Sequence, residues 1–175
     1  MKNFIEKFVL TEEAVTGEEL EKGVNIIFHE YGEELCLKIL IEEISEVLEV
    51  MSVHPAESIT TEGRYNLIEE ISDVKLFAAI AHQRVHRKPN VIPKGEAKDL
   101  ESVQQLLYYA ARAIYFLSKY TRIRGIRNIG SALGYIDRFV DGVAALYNIP
   151  NSDIDKGVTV KAARALDRCI EGGIH

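Results

Sequence analysis

The chain has 175 residues, 47% of them hydrophobic and 27% charged, with a formal net charge of −6, a profile that fits a soluble globular protein of one or two small domains. No apolar run of about 18 residues is present, and Met1 to Leu20 lacks the basic start and apolar centre of a secretory signal, so a cytoplasmic protein with no membrane partner is expected. The acidic balance argues against a nucleic-acid binder, and Cys36 and Cys169, which show neither metal spacing nor catalytic context, read as packed, reduced thiols.

Helical periodicity dominates from end to end and strand-like alternation is scarce, so an all-α bundle of about six helices is predicted. The first sixteen residues are weakly determined. Helices are expected over Glu18 to Tyr31, Glu33 to Ser52, Glu62 to Arg87, Asp99 to Tyr120, Asn128 to Tyr147 and Ser152 to Glu171. Pro89, Pro93 and Gly95 break the chain between the third and fourth. Ser152 with Asp155 has the spacing of a capping box after Pro150, and Gly172-Gly173 supplies a stop.

A carboxylate pattern is written twice along this frame, as Leu40-Ile41-Glu42-Glu43-Ile44-Ser45-Glu46 and as Leu67-Ile68-Glu69-Glu70-Ile71-Ser72-Asp73. At about 100° per residue, Glu43 and Glu46 project among Leu35, Cys36, Ile39, Val47 and Val50. Glu70 and Asp73 project among Leu67, Val74, Phe77, Ile80 and Ala81, with Ser72 turned away. Carboxylates one helical turn apart repel each other, and burial multiplies the penalty, so a cation is expected to compensate them. Mg²⁺ fits, with Mn²⁺ as a substitute, because hard ions take carboxylate oxygens together with water and substrate phosphate. Glu43, Glu46, Glu70 and Asp73 are the candidate ligands.

These residues resemble the MazG-like all-α nucleoside triphosphate pyrophosphohydrolases, whose signature E-E-x-x-E followed by E-x-x-D is matched by Glu42-Glu43-x-x-Glu46 and Glu70-x-x-Asp73. Tyr31-Gly32-Glu33-Glu34 upstream resembles the phage and bacterial branch of that family. The match is specific over roughly residues 20 to 88. The resemblance implies hydrolysis of a nucleoside triphosphate between its α and β phosphates, giving a nucleoside monophosphate and pyrophosphate. Glu42, one turn from Glu46, is then the candidate to activate the attacking water. Candidate phosphate-binding cations are Arg84, which projects to the acidic side of its helix, and Lys161, Arg164 and Arg168, which resemble the basic tail helix of phage-type relatives. Lys75 points elsewhere, and His82 with His86 lacks a third ligand for a metal pair.

Residues 1 to 88 hold eighteen acids and nine bases, whereas residues 89 to 175 hold nine acids and twelve bases, a split that suits an acidic metal-binding half facing a basic half. Residues 106 to 141, with a two-residue gap in the joining loop, repeat the apolar frame of residues 40 to 77, but Tyr109, Arg112 and Gly134 stand at the positions of Glu43, Glu46 and Glu70, and only Asp137 retains the acid of Asp73. The expected organisation is therefore an intact half over 1-92 and a degenerate half without metal ligands over 93-175, packed together as a pseudo-dimer. Association of further copies into a homo-oligomer is compatible with this frame. The competing functional class is a helical protein of the same ancestry that binds or senses nucleotides without hydrolysing them.

Overall fold

The computed structural model describes residues 18–82 and 102–170. Among them lie five α-helices, α1 (Glu18–Val53), α2 (Thr61–His82), α3 (Val103–Ile123), α4 (Ile126–Leu146) and α5 (Asn151–Ile170), with one 3₁₀ turn at Ala56–Ser58 and no strand. The all-α class agrees with expectation, and the number of helices does not. The first two expected helices form one element, α1, bent at Gly32, whose φ of 74° and ψ of 160° leave helical geometry. Glycine alone takes such a positive φ without strain, so the bend falls between Tyr31 and Glu33.

Beyond the bend the buried residues of α1 begin at Cys36, and from Leu37 through Leu40, Ile44, Val47 and Met51 they recur every three or four positions, forming the stripe that an amphipathic helix buries. Thr60 opens α2 by accepting the Gly63 N–H on its side-chain oxygen at 3.0 Å, and Ser102 does the same for α3 through the Gln105 N–H at 3.3 Å; each satisfies a donor left free at a helix start. Helix α5 begins at Asn151, directly after Pro150. Ser152 therefore lies inside the helix, and Asp155 pairs with Lys75 at 2.8 Å, so the expected capping box is not formed.

Helices α1 and α2 make one hairpin and α3 and α4 another; α4 leans on α2, α3 on α1, and α5 lies against α2 and α1. One continuous core draws on all five. The boundary expected at residues 92 and 93 lies outside the described residues, as do the Pro89 to Gly95 break and the Gly172-Gly173 stop. Three polar ties fix the hairpins. The Arg64 guanidinium donates to the Tyr147 and Asn148 carbonyls at the end of α4, and the Tyr147 hydroxyl donates to the His54 carbonyl at 2.9 Å. Glu33, just past the bend, accepts from the Tyr120 hydroxyl and faces Arg124 at 3.3 Å.

Where α5 meets α2, Ser72 is fully buried, although the helical projection turns it away from the apolar face. Its hydroxyl donates to the Ile68 carbonyl at 2.6 Å and lies 3.2 Å from that of Ile154. A Cβ on Gly157 would stand 2.1 Å from that oxygen, so glycine is what lets α5 approach this closely. The projection assigned α2 one covered side, and α5 covers a second.

Candidate metal and phosphate site

Midway along the α1–α2 hairpin, Glu43 and Glu46 of α1 meet Glu70 of α2. Each offers a ligand atom, and the three atoms lie within 4.8 Å of one another, the closest such acidic group among the described residues. Ligand oxygens at about 2.1 Å around six-coordinate Mg²⁺ stand about 3–4.2 Å apart, so a small inward movement would fit the donor set to that ion. All three side chains are half-buried, because their neighbours on each helix, Ile44, Val47 and Ile71, are core residues with no exposure.

The electrostatics match such a cluster. Burial first, then the charges of Asp73, Glu46 and Glu70, push the Glu43 carboxyl up to about 8, with Lys161 pulling the other way. Glu70 is raised to about 7 by burial, by a hydrogen bond shared with Glu46 and by the Glu46 charge. Burial and crowding thus favour the protonated form of Glu43 and Glu70, and a divalent ion would compete with those protons.

Asp73, the fourth expected ligand, is paired with Lys161 of α5, whose ammonium donates to its Oδ2; the two side chains are 14% and 17% exposed. Burial raises the Asp73 carboxyl while Lys161 lowers it. Burial also works against the charge on Lys161, but the hydrogen bond to Asp73 and the charges of Asp73, Glu69 and Glu70 outweigh it and raise the ammonium above its ordinary value.

A cleft of about 280 Å³ opens beside these groups, lined by Glu42, Glu43, Glu46 and Asp73 of the hairpin and by Lys161, Arg164 and Arg168 of α5. Tyr31 and Phe77 also line it, their ring centroids 6.4 Å apart. Glu42 is exposed at the rim. Seven of the nine candidate residues thus line one cleft; Glu70 reaches the cluster from outside its wall, and Arg84, like His86, lies outside the described residues. His82 is half-buried, and burial lowers its imidazole while Asp137 of α4 acts in the opposite sense.

Two contributors were not among the candidate site residues, although Tyr31 opens the Tyr31-Gly32-Glu33-Glu34 stretch. Glu69 faces Arg164 at 3.5 Å and Lys161 at 3.9 Å, orienting the basic side of the cleft; its place beside Glu70 in the doubled acid pair was the available signal. Tyr31 is recruited by the Gly32 bend. In the α3–α4 hairpin, Tyr109 is buried and the Arg112 guanidinium lies 4.8 Å from the Phe116 ring centroid and 5.5–5.6 Å from those of Tyr115 and Tyr135. That hairpin presents cation and rings where the first presents carboxylates. No helix among the described residues is long and apolar enough to cross a membrane. Comparison of the chain with protein-family models, with curated proteins and with solved structures finds no match in any of the three.

Proposed function

We propose that the chain is a Mg²⁺-dependent nucleoside triphosphate hydrolase that releases a nucleoside monophosphate and pyrophosphate. The observation that carries this reading is one cleft lined both by Glu43, Glu46 and Asp73 and by Lys161, Arg164 and Arg168. A divalent ion suits the first set and a polyphosphate the second. The likeness of Glu42-Glu43-x-x-Glu46 and Glu70-x-x-Asp73 to the MazG-like signature supports cleavage between the α and β phosphates; carboxylates and Mg²⁺ by themselves would also serve γ-phosphate release. The second, ligand-poor hairpin is read as a degenerate copy of the first that serves as its scaffold.

Bound Mg²⁺, or Mn²⁺ in its place, would neutralise phosphate charge and polarise the scissile anhydride. The chain's own groups do the rest. Glu43, Glu46 and Glu70 would hold the ion, with Asp73 joining them once Lys161 turns to the phosphates. Lys161, Arg164 and Arg168 bind and orient the leaving pyrophosphate. Glu42, exposed at the rim, orients the attacking water and accepts its proton. Chromatography of products from a panel of nucleoside triphosphates with Mg²⁺ tests this: a monophosphate with pyrophosphate is expected, and a diphosphate with orthophosphate would refute it.

One observation favours the alternative of nucleotide binding without hydrolysis. Lys161 sits on Asp73, so an internal cation already occupies one of the four expected ligands. The readings separate in the same assay, since a binder would retain nucleotide affinity with no product formed.

A further inference from the structure

A second hollow, of about 300 Å³, opens beside the carboxylate cluster and is walled by Glu46, Glu49, Val50, Val53, His54 and Glu70. It shares Glu46 with the first cleft, and no lysine or arginine among the described residues lines it, so the two hollows differ in charge character. Val53 is 65% exposed there, an apolar side chain left open at the end of α1. His54 lies beside it, its backbone tied on both sides. Its backbone N–H donates to the Val50 carbonyl at 2.9 Å and its carbonyl accepts from Tyr147 at 2.9 Å. The imidazole rests on the Gly63 backbone so closely that a Cβ there would stand 2.7 Å from the ring. A ring beside two valines can receive a flat, uncharged group.

We propose that this hollow receives the base and sugar of the nucleotide, and that Glu49 selects bases carrying an exocyclic amino group. The inference rests on the hydrolase reading above and adds a direction to it. A nucleoside triphosphate is anionic at one end and neutral and planar at the other. With the scissile phosphates at Glu43, Glu46 and Glu70, the pyrophosphate end lies toward Lys161, Arg164 and Arg168. The nucleoside then lies on the cation-free side, where a phosphate would face Glu46, Glu49 and Glu70 with no base to neutralise it. A carboxylate only accepts hydrogen bonds; set against the exocyclic position, Glu49 accepts from the amino group of cytosine or adenine and meets the carbonyl oxygen of uracil or hypoxanthine lone pair to lone pair, with only the neighbouring ring N–H of those bases left to offer it.

The test compares kcat/KM for CTP against UTP and for ATP against ITP, each pair differing by one amino-to-oxo exchange and the ring proton that accompanies it. The wild-type chain should favour the amino member by about tenfold, a modest ratio because Glu49 is exposed. Glu49→Gln, whose amide both donates and accepts, should bring the ratio close to one. His54→Ala should raise KM several-fold with less effect on kcat, and Gly63→Ala, which displaces the ring, should reproduce it. Calorimetric titration with CMP and UMP reads the same preference without turnover. Wild-type indifference to the amino group in both kinetics and binding would overturn the proposal, as would an unchanged ratio in Glu49→Gln. Failure of the hydrolase reading looks different: none of the four triphosphates is cleaved, while CMP still binds in preference to UMP and Glu49→Gln still removes that preference.

Discussion

In metal-free buffer the protein should lose stability as pH rises from 5 to 9, because of Glu43. Its carboxyl ionises near 4.5 in an ordinary setting and is pushed up to about 8 in the fold, by burial first and then by Asp73, Glu46 and Glu70. Between those values the folded state holds a proton that the unfolded chain has released, so stability falls with increasing pH. The gap sets a ceiling of about 5 kcal/mol, and because Glu43 is half-buried and its repulsion is shared with its neighbours, roughly 2 kcal/mol is the working figure after solvent screening. For a chain of this size that corresponds to a fall in Tm of about 4–8 °C. Thermal denaturation in EDTA across that range reads it directly. Glu43→Gln should flatten the slope without abolishing it, since Glu70, raised to about 7, titrates in the same direction. Mg²⁺ at a hundred times its Kd should restore about 2.7 kcal/mol to the wild type at high pH and little to the variant. A metal-free wild type as stable at pH 9 as at pH 5, or a Glu43→Gln variant with the wild-type slope, would refute the reasoning.

Lys161→Met should separate two roles: freed from the ammonium, Asp73 should bind Mg²⁺ several-fold more tightly by calorimetry, while the KM for nucleotide rises about tenfold through loss of a charged hydrogen bond; a weaker Mg²⁺ affinity would contradict the first role. Gly157→Ala should cost about 1–3 kcal/mol in denaturant unfolding by forcing α5 away from Ser72, and Ser72→Ala should recover part of that loss in the double variant; strict additivity would show that the two residues do not meet. Arg64→Ala, which releases two carbonyls at the end of α4, should destabilise by about 1–3 kcal/mol without changing Mg²⁺ affinity, a pairing of results that a role in the site would not give.

The helix frame was legible because apolar spacing is a local property. Cys36, Leu40, Ile44 and Val47 announce one face of α1, and the doubled acids beside that face announce where a cation would be needed. What the pattern did not carry was the consequence of distant packing. Gly32 was placed in a gap between two helices, yet the chain continues through it as a bent helix, because a single residue at φ 74° suffices to turn the axis. Ser72 was turned outward because one helix in isolation has no knowledge of a second neighbour, and Gly157, the residue that admits that neighbour, lies more than eighty positions away. Ser152 and Asp155 matched a local capping motif, but Pro150 had already fixed the start of α5, and Asp155 was drawn to Lys75 across the interface. The basic residues of α5 carried their charge visibly; their approach to Asp73 and Glu69 depended on how α5 crosses the hairpin.

That crossing also explains why the two hairpins part company chemically while keeping a common apolar frame. The α1–α2 hairpin leaves carboxylates on its surface that repel one another, and α5 answers them with Lys161 against Asp73 and Arg164 against Glu69. No comparable basic helix packs on the α3–α4 hairpin among the described residues. Carboxylates kept there would have stood uncompensated, at the cost that burial imposes on unpaired charge. Arg112 instead lies over Phe116, Tyr115 and Tyr135, where a guanidinium gains from the ring faces without an anionic partner or a metal. Carboxylates clustered on the α1–α2 hairpin beside α5, and a guanidinium over rings on the α3–α4 hairpin, obey the same electrostatic constraint: a helix pair carries clustered carboxylates only where a cation, mobile or covalently supplied, can reach them.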